Sequence, residues 1–161
     1  MARLTRLPAN LNAFLDMIGY SEGTIHIPGS DDGYLTIVGS TRKNPILMSG
    51  YKDHPRRVID LGHGLKSTAA GKYQILQRNY DAYKEHLGLS DFSPQSQDKI
   101  AIHLLYECKA IRPILAGQFA KAVHACRSRW ASLPGSPHGQ HTNEIDGLIA
   151  VYRSCGGEVV A

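Results

Sequence analysis

The sequence predicts an α+β fold, a mainly helical lobe with a small β lobe inserted after the first helix. Three observations carry this. Apolar residues recur at helical spacing near the N-terminus and in several later segments. Residues 25–66 are rich in Gly, Pro, Asp and Asn and hold one short β-rich run. No repeat or low-complexity linker divides the 161 residues, a length that supports one compact domain with a real core. Residues 1–161 are therefore read as a single domain with its β lobe at about 25–66.

Leu11, Phe14, Leu15 and Ile18 share a helical face after Asn10 as cap, and Gly23 is a natural stop. The run from Gly33 to Gly39 reads as a strand. Ser67 or Thr68 is the expected cap of a helix with the stripe Tyr73, Leu76, Tyr80, Tyr83 and Leu87, ended by Gly88. Ser93-Pro94 starts the next, with Ile100, Ala101, Leu104, Leu105 and Cys108 inward. Phe119, Ala122, Val123 and Cys126 mark a helix leading to Trp130, read as core. A polar loop from Ser132 to Thr142 precedes a last helix with Ile145, Leu148, Ile149 and Tyr152 inside, closed by Gly156-Gly157.

With 42% hydrophobic and 20% charged residues, the balance is that of a globular protein. A net charge of +4 and a pI near 9.0 suit a polyanionic partner. Only Lys52 to Arg57 is locally dense, and no basic stripe interleaves with aromatics, which argues against nucleic acid. Cys108, Cys126 and Cys155 are widely spaced and read as buried free thiols. Met1 to Pro8 lacks the apolar stretch of a signal peptide, and no run reaches membrane-spanning length. The expectation is accumulation in the cytoplasm without stable membrane association.

Glu22 stands four residues after Ile18 and continues the apolar face of the first helix. Burial there would raise its pKa and keep it protonated, as a general acid requires. A solvated glutamate at a helix end is the commoner outcome, so spacing alone leaves both open. Asp31, Asp32 and Asp53 could supply the second carboxylate of a glycosidase, or serve only as turn residues. Ser67 to Gln74 fails as a phosphate loop, because Gly64 and Gly71 are too far apart and Tyr73 follows Lys72. It reads better as a helix start with Gln74 free to point an amide into a cleft. His138 and His141 are three apart, but the histidines form no recognisable ligand set, so neither metal nor cofactor is expected.

Several blocks occur in a familiar order: Ala13 to Ile18, Ser21 to Thr24, Gly33-Tyr34, Ile37-Val38-Gly39, Asp53 to Arg56, Lys66-Ser67-Thr68, Gly71 to Gln74, Asp91 to Pro94, Trp130 to Gly135, and Gly139-Gln140. Together they resemble the bacteriophage lambda endolysin family over nearly the whole chain from Asn12 onward. The resemblance implies a lysozyme-like fold with a substrate cleft between the two lobes. It implies lytic transglycosylation of peptidoglycan glycan strands, with Glu22 as the catalytic acid. It matches Tyr34, Asp53, Ser67, Thr68, Gln74 and Gln140 to substrate-binding positions. His138 is included with them, although the lambda protein has a tyrosine there. The resemblance also implies a monomer released from the host cytoplasm to the wall through a holin. Two alternatives stay open: a hydrolytic muramidase pairing Glu22 with Asp31 or Asp32, and a zinc amidase or endopeptidase.

Overall fold

A computed structural model of the protein describes residues 1–138 and 142–160. Among the described residues the elements are α1 (Ala9–Ser21), a 3-10 turn (Thr24–His26), β1 (Ile59–Asp60), β2 (Lys66–Ser67), α2 (Gln77–His86), α3 (Pro94–Glu107), α4 (Ile111–Leu115), α5 (Phe119–Cys126) and α6 (Ile145–Ser154). The chain forms two compact units, Met1–Glu22 with Ala101–Ala161, and Gly23–Ile100.

In the first unit α1 is the central element. Leu11, Ala13, Phe14, Leu15, Met17 and Ile18 are all buried, and the helix packs against α4 and α6. Phe14 meets Phe119 of α5 edge-on at 5.9 Å and Tyr152 of α6 at 6.3 Å, while Phe119 and Tyr152 lie 4.8 Å apart. The two closing glycines do different jobs. Gly156 takes φ +89° to end α6, whereas Gly157 lies against the Tyr152 ring, where a Cβ would collide.

Trp130 is buried, as expected. Cys126 is buried too, but Cys108 and Cys155 are half-buried, and all three are free thiols. Asn10 lies inside the first turn of α1 rather than capping it, and its Oδ1 accepts the Glu158 amide at 2.8 Å. The short α4, which carries Pro113, has no counterpart in the sequence pattern.

The second unit corrects two expectations. The strand at 33–39 reduces to isolated bridges, Thr36 to Leu47 and Ile37 to Ala70. Asp31, Asp32 and Gly33 all take positive φ (51°, 57° and 91°), winding the chain into a turn that leaves only a short extended stretch. The regular sheet is instead antiparallel β1–β2, pairing Ile59 with Ser67 and Asp60 with Lys66.

The helix expected from Ser67 or Thr68 starts only at Gln77. Ser67 belongs to β2, and Gly71 to Gln74 is a tight turn closed by the bridge from Ala70 to Ile75. Gly71 (φ 78°) and Gln74 (φ 51°) supply the left-handed geometry that no helix start contains. Thr68 is nonetheless a cap at long range, its Oγ1 accepting the Gln77 amide at 3.1 Å.

Two fully buried residues of α3 hold this unit together. Gln97 Oε1 accepts the Lys72 amide at 3.0 Å, and its Nε2 donates to the carbonyls of Tyr34 (3.0 Å) and Phe92 (2.9 Å). Asp98 Oδ1 accepts the hydroxyls of Tyr34 at 2.8 Å and Tyr73 at 2.6 Å. Both polar ends of the buried Gln97 amide thus have partners.

Nearby, His54 Nδ1 accepts the Arg56 amide at 3.1 Å, which makes Nε2 the donor to the Ile75 carbonyl at 2.9 Å. Burial pushes the His54 imidazole below its ordinary value. It is held neutral, so its stabilisation is present above pH 6.5 and lost as the pH falls through the folded-state value. In a nitrogen-15 NMR titration the His54 ring should show the neutral Nε2–H tautomer and a midpoint below 6.5; a higher midpoint would contradict the assigned bonding.

Gly71 packs directly on the Gln97 amide, so Gly71→Ala would meet both a steric collision and an unfavourable φ. The variant should lose about 2 kcal/mol in urea unfolding. An unchanged unfolding midpoint would show that the turn can move away from Gln97.

Candidate active site

Glu22 is the residue immediately after α1. Its amide still donates to the Ile18 carbonyl at 2.9 Å, and Gly23 then turns the chain out of the helix with φ +73°. The carboxylate is therefore carried at the C-terminal end of the largely buried α1. Ser132 Oγ donates to Glu22 Oε1 at 2.6 Å. Ser132 Oγ also lies 2.8 Å from Ser21 Oγ. Asn143 Nδ2 reaches Ser21 Oγ (3.1 Å), the Ser21 carbonyl (3.1 Å) and the Ser132 carbonyl (3.3 Å). The Asn143 amide donates back to the Ser132 carbonyl at 2.9 Å.

Burial pushes the Glu22 carboxyl up from 4.5 to about 6, against the hydrogen bonds from Ser132, which pull it down. Burial wins, in the direction its place on the apolar face suggested. A carboxyl with such a value can hold a proton and release it close to neutrality.

The other predicted residues fall in different settings. Tyr34 is fully buried and its hydroxyl is committed to Asp98. In this structure the ring is packed in the core of its unit. Ser67 and Thr68 line a pocket of about 520 Å³ with Val58, Lys66, Leu76, Gln77, Arg78 and Asp81. Gln74 donates from Nε2 to the Gly71 carbonyl at 3.0 Å and so braces its own turn.

Asp53 is exposed and accepts Arg56 Nε at 2.9 Å; the guanidinium beside it lowers its carboxyl, and Arg56 also grips Asp81. His138 is exposed, with Nε2 2.8 Å from the Ser128 carbonyl. Gln140 lies outside the described residues.

Asp31 Oδ2 accepts the Tyr51 hydroxyl at 2.6 Å, and Asp32 Oδ2 pairs with Lys72 Nζ at 2.9 Å. The Lys72 side chain is fully buried and its ammonium lies 5.1 Å from the Tyr34 ring centre. Both candidate second carboxylates are thus engaged within their own unit. Among the described residues no group of three or more His, Cys, Asp or Glu side chains could hold a metal ion, and no helix is long and apolar enough to cross a membrane.

Residues 12–159 match the family model described as Endolysin. The chain belongs to the endolysin family. It is 44% identical over 149 residues to the endolysin of Escherichia phage lambda, with 91% of each chain covered. It is 41% identical over 155 residues to the endolysin of Escherichia phage P2, covering 92% of this chain and 93% of that one. Among solved structures it is similar to bacteriophage lambda lysozyme complexed with a chitohexasaccharide, with a TM-score of 0.90, 42% identity and coverage of 98% and 100%. It is also similar to lysozyme from bacteriophage lambda, with a TM-score of 0.87 and 41% identity. The α+β fold is lysozyme-like.

Ser21, Ser132 and Asn143 surround Glu22 in this endolysin-family chain and were not singled out from sequence. Ser21 and Ser132 lie within blocks that carry the family resemblance, but nothing in the sequence tied either hydroxyl to Glu22.

A carbon-13 NMR titration of the Glu22 carboxyl should give a midpoint of about 6. A midpoint at or below 4.5 would mean that the group is solvated and would remove the physical basis for an acid role.

Proposed function

We propose that this endolysin-family chain degrades peptidoglycan by lytic transglycosylation at the bond between N-acetylmuramic acid and N-acetylglucosamine. Glu22 protonates the bridging oxygen as the C1–O bond breaks. The muramoyl C6 hydroxyl then attacks C1 and returns its proton to Glu22. A 1,6-anhydro ring forms, no water is consumed, and the carboxyl ends in the state in which it began. The observation that carries this reading is the Glu22 carboxyl, raised to about 6 and held by Ser132. One such group suits both halves of the cycle, since it can give and recover a proton without a partner base. The capture of a chitohexasaccharide by the lambda lysozyme supports a glycan substrate here.

Asp31 and Asp32 bear on the hydrolytic reading. A water-activating or nucleophilic carboxylate must keep an oxygen available to the reaction. Asp32 is ion-paired to Lys72 and Asp31 accepts a tyrosine hydroxyl, so each has a structural use that needs no catalytic one. Ser67 and Thr68 offer hydroxyls in a concave setting and are proposed to meet the sugar polar groups, with Asp53, Gln74, His138 and Gln140 as further candidates. Access to the wall through a holin lesion and a monomeric state belong to the same reading.

Mass spectrometry of digested peptidoglycan should find 1,6-anhydromuramoyl ends; reducing muramic ends would replace transglycosylation by hydrolysis. Glu22→Gln should reduce lysis by about 10²–10⁴-fold with the fold intact. Because the acid must be protonated in the free protein, kcat/KM should fall as the pH rises through about 6.

A further inference from the structure

Ser21, Ser132 and Asn143 do more than surround the carboxyl, because the count of their protons fixes a direction. A serine hydroxyl has one proton and an amide nitrogen offers only donors. Asn143 Nδ2 faces two backbone carbonyls, those of Ser21 and Ser132, and a flipped amide would set oxygen against both. The nitrogen is thereby assigned; its two protons serve three acceptors, so Ser21 Oγ, at 3.1 Å, shares one of them with a carbonyl. Ser21 is buried, and among the described residues Ser132 Oγ, at 2.8 Å, is the acceptor left for its proton. Ser132 then has its own proton for Glu22 Oε1 at 2.6 Å.

We propose that Asn143, Ser21 and Ser132 form a one-way hydrogen-bond chain that keeps Glu22 Oε1 an acceptor and leaves the transferable proton on Oε2. Resting on the reading of Glu22 as the acid, this makes the three residues positioning residues: they touch no reacting atom and decide which carboxyl oxygen delivers. If Glu22 instead carried its proton on Oε1, that proton would point at Ser132 Oγ. Ser132 would have to turn its own proton toward Ser21 Oγ, whose second lone pair would accept it. The Ser21 proton would then lose its acceptor in a buried place, a costly arrangement. Each bond in a chain of this kind also polarises the next. Among the described residues, burial and the hydrogen bonds from Ser132 are what act on the Glu22 carboxyl.

The test uses the whole chain with Ser132→Ala, Ser132→Thr, Ser21→Ala and the double variant Ser21→Ala/Ser132→Ala. Losing the Ser132 donor should move the carbon-13 midpoint of Glu22 upward by about one pH unit, and threonine should restore it. Ser21→Ala alone should give a smaller upward shift, and none on the Ser132→Ala background, since its effect passes through Ser132. In the infrared the C=O stretch of protonated Glu22 should rise in Ser132→Ala, because Oε1 loses its donor. The alkaline limb of kcat/KM should move with the carboxyl. An unmoved midpoint or stretch in Ser132→Ala, or a Ser21 effect undiminished in the double variant, would overturn the chain. Full lysis by Glu22→Gln would overturn the acid role instead, while the spectroscopic arms still report on the chain itself.

Discussion

A carboxylate taken out of water must be given donors, and each compact unit is organised around one that has been. In the second unit it is Asp98, which receives the hydroxyls of Tyr34 and Tyr73 on one oxygen. With the adjacent Gln97 it ties together a turn, a loop and α3, three segments that share little regular hydrogen bonding of their own. In the first unit it is Glu22, whose donors both come from Ser132, the hydroxyl at 2.6 Å and the backbone. The difference in provision matters. Asp98 serves the packing, whereas the sparse donation to Glu22 lets desolvation dominate and leaves its proton exchangeable.

How far these arrangements were legible depended on whether their cause was local. α1 and its stop at Gly23 follow from apolar spacing and one glycine, and so did the expected direction of the Glu22 shift. α3, α5 and α6 were visible for the same reason. The failed strand and the misplaced helix start had causes that local pattern hides. Asp31 and Asp32 take left-handed backbone without being glycine, and Gln74 does the same at the turn. Tyr73 belonged to an apolar stripe with Tyr80, yet it is buried through a turn rather than a helix.

The site shows the same boundary. Ser132 lies 110 positions from the carboxyl it contacts, and Asn143 lies 122 from Ser21. No spacing rule reaches across such separations. Tyr34 shows the same limit from the other side, since the motif that singled it out did not show that its ring is buried in the core. A motif records that a residue is required; only its surroundings say whether the requirement is chemical or architectural.

The burial of Glu22 has a thermodynamic side. With its folded-state value near 6 against an ordinary 4.5, folding takes up a proton at this position across that interval. Its contribution to stability is complete below the unfolded value and fades as the pH rises through the folded one. Near neutrality the native chain therefore carries an ionised carboxylate in surroundings that disfavour the charge. A neutral side chain at position 22 would relieve that tension, so stability alone gives no reason for a carboxyl there.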